Sequence, residues 1–183
     1  VSIGHSQCTF QMAQKALDSG VNSLTHAWNA MPFHHRNPGV LGAALGRKNI
    51  FVEMIADNVH VSDTIVNWTL QIHPQGICWV SDAVPAAETQ RLSSFGPLRV
   101  QVREGAGRTK SGALAGGGYT LSTMIARFWG RQSRHLIHHN GEEFQRLLLQ
   151  GLTQWPGASL PNFQKWCASL IKTHSFEYSF GKK

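Results

Sequence analysis

The sequence has few of the features that mark disulfide-stabilised or membrane proteins. It contains 3 cysteines in 183 residues, an odd number that disfavours a small fold held by disulfides and suits a reducing compartment. No run approaches the roughly 18–20 consecutive apolar residues that a membrane helix needs. We therefore expect a cytoplasmic protein with no membrane-spanning segment. The 42% hydrophobic content and six tryptophans argue against intrinsic disorder.

Acidic residues are scarce in the second half of the chain. No aspartate follows Asp82, and residues 99–183 hold twelve basic residues against four acidic ones. Residues 1–98 hold five basic and six acidic residues, so the formal charge of +7 belongs to the second half alone. A net positive charge suggests a nucleic-acid partner only when the candidate functional residues lie in the positively charged part of the chain. Here the charge describes one half, and we regard nucleic acid as an unlikely partner.

Apolar runs and helix signals alternate over the first 80 residues. Thr9 and Ser62 or Asp63 are suitable helix N-caps, and Phe10, Ala13 and Leu17 fall on one helical face. This spacing of roughly 20–30 residues per strand is typical of βα units in a parallel sheet. The pattern predicts strands at 1–3, 21–25, 50–56 and 76–80, and helices at 9–19, 41–45 and 62–71.

A histidine or an aspartate follows each predicted strand, at His5, His26, His60 and Asp82. The carboxyl ends of parallel strands are where active sites assemble in α/β folds. Imidazole nitrogens from two strands can hold a divalent cation, and a nearby carboxylate can take a proton from water that the cation activates. The spacing of these residues does not by itself define a metal site. It does predict one shared site at this edge of the sheet.

Six segments carry a resemblance to a known family. In order and approximate spacing they are similar to motifs of the N-acetylglucosamine-6-phosphate deacetylases, a family of metal-dependent amidohydrolases built on a (β/α)₈ barrel. The segments are SIGHS at 2–6, THAWNAMP at 25–32, HHRNPG at 34–39, IADNVHV at 55–61, VSDA at 80–83 and GALAG at 112–116.

The resemblance implies an α/β fold that forms part of a TIM barrel of the amidohydrolase type. Residues 1–130 correspond to the C-terminal half of that barrel, and the N-terminal half, which carries a glutamate metal ligand in the family, is expected to be missing. Such a half barrel would expose two sheet edges. Beyond about residue 130 the resemblance is lost, and 131–183 is interpreted as a diverged basic helical tail with a helix at 141–152.

The resemblance also implies a metal centre. His5 and His26 would be two ligands of a catalytic divalent metal, with zinc as the first choice. Asp82 would be the general base that deprotonates the attacking water and then the general acid that protonates the departing amine. One carboxylate can fill both roles, because the proton gained in the first step is the one needed in the second.

Four further residues would bind a sugar-phosphate substrate. His60 would orient the substrate and polarise its carbonyl group. Asn29, the backbone of Ala30, and Arg36 would hold the 6-phosphate, and arginine suits this because its planar fork donates two parallel hydrogen bonds. Asn58 replaces a glycine that is usual in the family, and asparagine tolerates the positive φ expected there.

Several alternatives remain open on the sequence alone. Asp82 could cap a following helix, and Glu53, which alternates with apolar neighbours within a strand, is expected to have a structural role. Another metal-dependent amidohydrolase would use the same histidines and aspartate on a different amide. A non-catalytic remnant could instead bind nucleic acid through Phe128, Trp129 and nearby arginines. A homodimer is compatible with any of these hypotheses.

Overall fold

The computed structural model describes residues 1–89 and 91–132. The predicted helix at 141–152 and the predicted basic tail, apart from its first two residues, Arg131 and Gln132, lie outside these residues. Within them the chain forms two four-stranded sheets, one parallel and one antiparallel, together with four helices. No helix in this part of the chain is long and apolar enough to cross a membrane.

The parallel sheet confirms the strand and helix alternation predicted for the first 80 residues. Its four strands lie side by side in chain order, and every neighbouring pair is parallel. The chain therefore forms an α/β unit in the region where the periodicity predicted one. The elements are β1 (Ser2–Ile3), α1 (Phe10–Asp18), β2 (Ser23–Leu24), α2 (Gly39–Leu45), β3 (Phe51–Met54), α3 (Asp63–Ile72) and β4 (Ile77–Trp79).

Side-chain caps start two of these helices as predicted. The hydroxyl of Thr9 accepts a hydrogen bond from the backbone N–H of Met12 at 3.3 Å at the start of α1. Ser62, rather than Asp63, is the N-cap of α3, and its hydroxyl accepts from the N–H of Ile65 at 3.4 Å. Each cap satisfies a backbone donor that the first helical turn leaves unpaired.

The antiparallel sheet was not predicted. It contains β5, β6, β7 and β8 in sequence order, joined by short turns. Glu104 and Gly105 both have positive φ, at 51° and 81°, which is the geometry of the tight turn that suits a two-residue hairpin. The bounds are β5 (Ser93–Phe95), β6 (Leu98–Arg103), β7 (Ala106–Thr109) and β8 (Leu114–Gly117), followed by α4 (Leu121–Gln132).

One main core joins the parallel sheet to the helices around it, and α4 packs into this core. Met124, Ile125 and Phe128 of α4 are buried in the same cluster as Val52, Met54 and other strand residues. A smaller cluster of Val84, Ala86 and Val100 lies under the antiparallel sheet. The two sheets meet where Ala83, just after β4, pairs with Gly117 of β8. This junction brings the glycine-rich end of β8 to the carboxyl edge of the parallel sheet.

Candidate active site

The first two predicted site residues come together at the carboxyl ends of their strands. His5 follows β1 and His26 follows β2 at the same distance, two residues after the strand ends. Because β1 and β2 are parallel neighbours in register, the two loops leave the sheet side by side. The ring centroids of His5 and His26 lie 4.5 Å apart, with the rings tilted by 35°.

Four predicted site residues have an uncommon backbone conformation. The φ angles of His5, His26, Ala30 and Asp82 are 46°, 34°, 51° and 47°. Non-glycine residues rarely adopt this left-handed region, and each instance costs on the order of 1–3 kcal/mol unless the surroundings compensate. Such outliers cluster at functional sites. Here four of them coincide with residues that the motifs single out.

Glu53 stabilises the backbone at His26. Its Oε2 accepts a hydrogen bond from the N–H of His26 at 3.2 Å, and its carbonyl oxygen accepts from the N–H of Ala27 at 2.7 Å. Glu53 also pairs in register with Cys78 on β4. Burial, and after it the negative charge of Glu53, raises the pKa of the Cys78 thiol to about 11. Glu53 therefore has the structural role expected for it, and the structure adds that the residue it supports is His26.

The imidazole of His26 has an unsatisfied nitrogen. Its Nδ1 is buried and has no hydrogen-bond partner, although buried polar atoms are paired as a rule. A metal ion is one group that satisfies such an atom, and the adjacent ring of His5 supplies a second nitrogen ligand of the type that zinc prefers. Among residues 1–89 and 91–132, however, no group of three or more His, Cys, Asp or Glu side chains is placed to hold a metal. The described residues thus supply two adjacent imidazole rings, which is fewer ligands than a complete metal site needs.

His60 lies after β3 and forms a buried pair with Asp57. Nδ1 of His60 is 2.7 Å from Oδ2 of Asp57, and the two side chains are 5% and 2% exposed. Oδ1 of Asp57 accepts from the N–H groups of Val59 and His60, each at 2.8 Å. Asn58 in this turn has a φ of 62°, as predicted for the residue that replaces the usual glycine.

The pKa of Asp57 reflects two opposed effects. Burial by itself raises the pKa of this carboxyl, because it disfavours the charged form. The hydrogen bonds from the His60 ring and from the two backbone N–H groups, together with the charge of His60, outweigh burial and lower the pKa below its usual value of 3.8. Asp57 is therefore a carboxylate at neutral pH.

Asp82 lies at the junction of the two sheets. Its carbonyl oxygen accepts from the N–H of Gly117 at 2.6 Å. A Cβ on Gly116, which has a φ of 136°, would lie 2.6 Å from the same carbonyl oxygen and 3.6 Å from the Asp82 carboxylate. The side chain of Asp82 is exposed, and turns rather than a helix follow it up to Glu88. The alternative that Asp82 caps a following helix is therefore wrong.

The residues predicted to hold a phosphate lie in the loop between β2 and α2. The Asn29 amide nitrogen donates to the carbonyl oxygens of His26 and Ala27, at 3.0 and 3.3 Å. Ala30 is exposed with a φ of 51°. The exposed side chain of Arg36 donates from Nε to Nε2 of His35 at 3.0 Å. Asn29 thus adjoins the histidine pair, whereas the contact found for Arg36 is with its chain neighbour.

Two features of the candidate site were not predicted from the sequence. The Asp57–His60 pair is spaced i, i+3 in a loop, a pattern with no periodic signal. The close approach of Gly116 and Gly117 to Asp82 depends on contact between two sheets whose strands are formed by separate parts of the chain. The run of three glycines at 116–118 was the available signal, because such runs often mark close backbone approach.

The known proteins that the chain resembles in sequence are deacetylases of N-acetylated sugar 6-phosphates. The chain is 41% identical over 92 residues to N-acetylglucosamine-6-phosphate deacetylase of Bos taurus, which covers 47% of this chain and 22% of that protein. It is 38% identical over 129 residues to N-acetylgalactosamine-6-phosphate deacetylase of Escherichia coli O157:H7, covering 69% and 33%. It is 35% identical over 150 residues to N-acetylglucosamine-6-phosphate deacetylase of Lysinibacillus sphaericus, covering 80% and 38%. No protein-family model matches the chain.

Solved structures show the same relationship. N-acetylglucosamine-6-phosphate deacetylase of Thermotoga maritima matches with a TM-score of 0.68 at 31% identity, over 81% of this chain and 39% of that one. The Mycobacterium smegmatis enzyme, solved in complex with N-acetyl-D-glucosamine-6-phosphate, matches with a TM-score of 0.73 at 25% identity, over 82% and 39%. The chain spans less than two fifths of the length of these curated relatives. In sequence and in fold it is therefore similar to a segment of the N-acetylglucosamine-6-phosphate deacetylases, which confirms the resemblance predicted from its motifs.

Proposed function

We propose that the protein removes the acetyl group from N-acetylglucosamine 6-phosphate by hydrolysis of the amide bond. The observation that carries this proposal is the pairing of His5 and His26, with the unsatisfied Nδ1 of His26, inside a segment similar to deacetylases of this class. The substrate is then a small sugar phosphate, and the setting is cytoplasmic amino-sugar breakdown.

His5 and His26 are the residues that would hold a divalent metal, with zinc as the first choice because imidazole nitrogen suits it. When bound, such a metal supplies Lewis-acid chemistry that activates water and polarises the acetamide carbonyl. A catalytic zinc site takes three protein ligands as a rule. The remaining ligand would come from outside the described residues.

Asp82 carries the proton in this proposal. Its carboxylate accepts a proton from the attacking water, and the same proton then goes to the nitrogen of the breaking C–N bond, which releases acetate and the amine. The contacts of Gly116 and Gly117 with the Asp82 backbone support this role, because they fix the residue that bears the carboxylate. An exposed carboxylate is also accessible to substrate.

The remaining predicted residues would orient the sugar phosphate. The Asn29 side chain organises the loop after His26, and the backbone of Ala30 follows it directly. Arg36 is exposed, and its guanidinium would give up its hydrogen bond to His35 to reach a phosphate. His60 contributes a ring nitrogen from the loop after β3, at the same carboxyl edge.

We also propose that the parallel sheet is part of a (β/α)₈ barrel of the amidohydrolase type. The support is the unbroken β1-β2-β3-β4 order with helices between the strands, and the match to about two fifths of the solved deacetylases. In that architecture residues 1–130 and the last two residues of α4, Arg131 and Gln132, belong to one unit, and the rest of 131–183 is a basic tail. A homodimer is compatible with this arrangement.

The test is acetate release by the full-length protein supplied with zinc. We expect release from N-acetylglucosamine 6-phosphate, at least a hundredfold less from unphosphorylated N-acetylglucosamine, and loss of activity in Asp82→Asn. Asp18→Asn is the matched control, since Asp18 forms only a surface ion pair with Arg47. No release, or full activity in Asp82→Asn, would show that the proposal is wrong.

Three further results would identify other functions. The similarity to an N-acetylgalactosamine-6-phosphate deacetylase over 69% of the chain makes the galactosamine epimer the second substrate to assay. If Arg36→Ala leaves turnover unchanged and the phosphate is not required, the protein is a different amidohydrolase. Retention on single-stranded DNA that falls steeply with salt would instead support the nucleic-acid hypothesis.

A further inference from the structure

The buried pair of Asp57 and His60 is more tightly organised than a surface contact requires. Both side chains are almost fully buried, and the distance from Oδ2 to Nδ1 is 2.7 Å. Nothing in the motif-based assignment gives Asp57 a role. Its position at the carboxyl end of β3, three residues before His60, places it where it can control that ring.

The orientation of the Asp57 carboxylate is fixed by its own contacts. Oδ1 accepts the N–H groups of Val59 and His60, each at 2.8 Å, so that Oδ2 faces the ring. Because backbone N–H groups can only donate, Oδ1 must act as an acceptor toward them. The oxygen that remains to face Nδ1 of His60 is therefore Oδ2.

We propose that Asp57 is a positioning residue that keeps the proton of neutral His60 on Nδ1 and leaves Nε2 as a hydrogen-bond acceptor for the substrate. A carboxylate beside a ring nitrogen accepts the N–H of that nitrogen, which sets the tautomer. The inference rests on the proposed function, because it takes His60 to face the substrate.

This tautomer narrows what His60 can recognise. A neutral ring with its lone pair at Nε2 accepts a hydrogen bond from a hydroxyl or an amide N–H, and it donates none to a carbonyl oxygen. The structure thus favours a sugar hydroxyl as the partner of His60, in place of the acetyl carbonyl that the resemblance implied. Polarisation of the carbonyl would then fall to other groups.

An Asp57→Asn variant should reverse the tautomer. Its amide oxygen would take the two backbone N–H groups, which need an acceptor, and its NH₂ would turn toward His60. A donor facing Nδ1 requires a lone pair there, so the proton moves to Nε2. The same exchange in a serine protease triad disrupts the catalytic histidine through its tautomer.

The decisive measurement is a long-range ¹H–¹⁵N spectrum of ¹⁵N-histidine-labelled full-length protein at pH 8, with the His60 signals assigned from His60→Gln. We expect a protonated Nδ1 and an unprotonated Nε2 in the wild type, and the reverse in Asp57→Asn. Asp63→Asn, which removes another carboxylate near the start of α3, should leave the wild-type pattern. A wild-type proton on Nε2, or no exchange in Asp57→Asn, would overturn the proposal. If that variant does not fold, the wild-type spectrum decides alone.

Activity separates this proposal from the one on which it rests. We expect Asp57→Asn to lower kcat/KM for N-acetylglucosamine 6-phosphate by about ten- to hundredfold, the usual effect of removing an orienting partner, while zinc content is unchanged. Tautomer exchange without any acetate release, even by the wild type, would uphold the proton assignment and sink the proposed function. Acetate release by the wild type together with an unchanged tautomer in Asp57→Asn would support the proposed function and overturn the proton assignment.

Discussion

His5 and His26 are 21 residues apart in the chain, yet their ring centroids lie 4.5 Å from each other. Parallel pairing of β1 with β2 aligns Ile3 with Leu24, so that each histidine leaves its strand at the same level. The pairing places two imidazole rings side by side at the carboxyl edge of the parallel sheet. Nδ1 of His26 is one of two buried side-chain nitrogens without a hydrogen-bond partner in the described part of the chain, the other being Nε of Arg108.

The histidine pair predicts a specific loss of metal binding. His26→Ala should weaken zinc binding by at least about tenfold, because it removes one of two imidazole ligands. Equilibrium dialysis against zinc, followed by elemental analysis, measures the change. His34→Ala is the matched control, since the His34 ring also lies against a neighbouring histidine, with centroids 4.1 Å apart, but His34 is exposed and eight residues further along the same loop. Equal zinc affinities in His26→Ala and the wild type would contradict the assignment.

The parallel sheet was predictable because its signals are local. Thr9 and Ser62 cap helices whatever surrounds them, and the apolar run at 50–56 is long enough to mark a strand. The order of the four strands follows from the βα alternation. The His and Asp residues that follow the strands could therefore be assigned to one edge of the sheet from the sequence alone.

The rest of the site depends on contacts that no local pattern encodes. Glu53 has the pattern of an ordinary strand residue, and only the fold shows that its carboxylate faces the N–H of His26. The antiparallel sheet was missed although LRVQVR at 98–103 alternates apolar and polar residues. The barrel expected from the resemblance consists of parallel strands, and this segment pairs antiparallel with its neighbour. The contact of this sheet with Asp82 through Gly116 and Gly117 is set by the docking of two sheets.

Glu53 should control the ionisation of Cys78. The thiol has a pKa of about 11, raised first by burial and then by the Glu53 charge. Glu53→Gln removes the charge while keeping an acceptor for the N–H of His26, so the pKa of Cys78 should fall but stay above 9, because burial remains. The pH dependence of Cys78 alkylation, followed by mass spectrometry of its peptide, measures this. Glu104→Gln, at an exposed hairpin turn, should not change it, and an unshifted profile in Glu53→Gln would show that the charge does not reach the thiol.

Gly116 should be much less tolerant of a side chain than Gly112. Both have positive φ, at 136° and 88°, which costs any L-residue on the order of 1 kcal/mol or more. A Cβ at Gly112 meets nothing within 4 Å, whereas one at Gly116 would lie 2.6 Å from the Asp82 carbonyl oxygen. We expect Gly112→Ala to lower the free energy of unfolding by about 1 kcal/mol and Gly116→Ala by about 3 kcal/mol or more, measured by urea denaturation. Equal losses of unfolding free energy in the two variants would mean that the backbone at the junction of the sheets shifts to accommodate the added methyl group.

Asp57 should make the free energy of unfolding depend on pH in the acidic range. Its folded pKa lies below the usual 3.8, so the unfolded chain binds its proton more readily. The stabilisation is therefore present above about pH 4 and is lost as the pH falls through the folded pKa. The stability difference between wild type and Asp57→Asn should be largest at pH 6 and should narrow below pH 4. Urea unfolding at several pH values tests this, and Asp18→Asn, at a surface ion pair, should show little such narrowing.

Arg131 holds α4 against the parallel sheet at a point close to Asp57. Its Nε and Nη2 donate to the two carboxylate oxygens of Asp63 at 2.6 and 2.8 Å, and Nη2 also donates to the carbonyl oxygen of Ala56 at 2.8 Å. Lysine cannot reproduce this forked contact, because its ammonium group is a single point charge. About a quarter of each charged side chain is exposed, so solvent screening limits the energy of the pair.

We therefore expect Arg131→Lys to lower the free energy of unfolding by about 1 kcal/mol, the scale of a partly buried, bidentate contact. Arg47→Lys is the matched control. Arg47 is as exposed as Arg131, but its partner Asp18 is 66% exposed and contacts one nitrogen only, so that change should cost less than about 0.5 kcal/mol. Urea denaturation at 0.1 and 0.5 M NaCl distinguishes the two, since salt should reduce the small Arg47 effect further and leave most of the Arg131 effect. If both variants lose equally and both losses vanish in salt, the forked contact adds nothing beyond a surface ion pair, and the position of α4 rests on the apolar packing of Met124, Ile125 and Phe128.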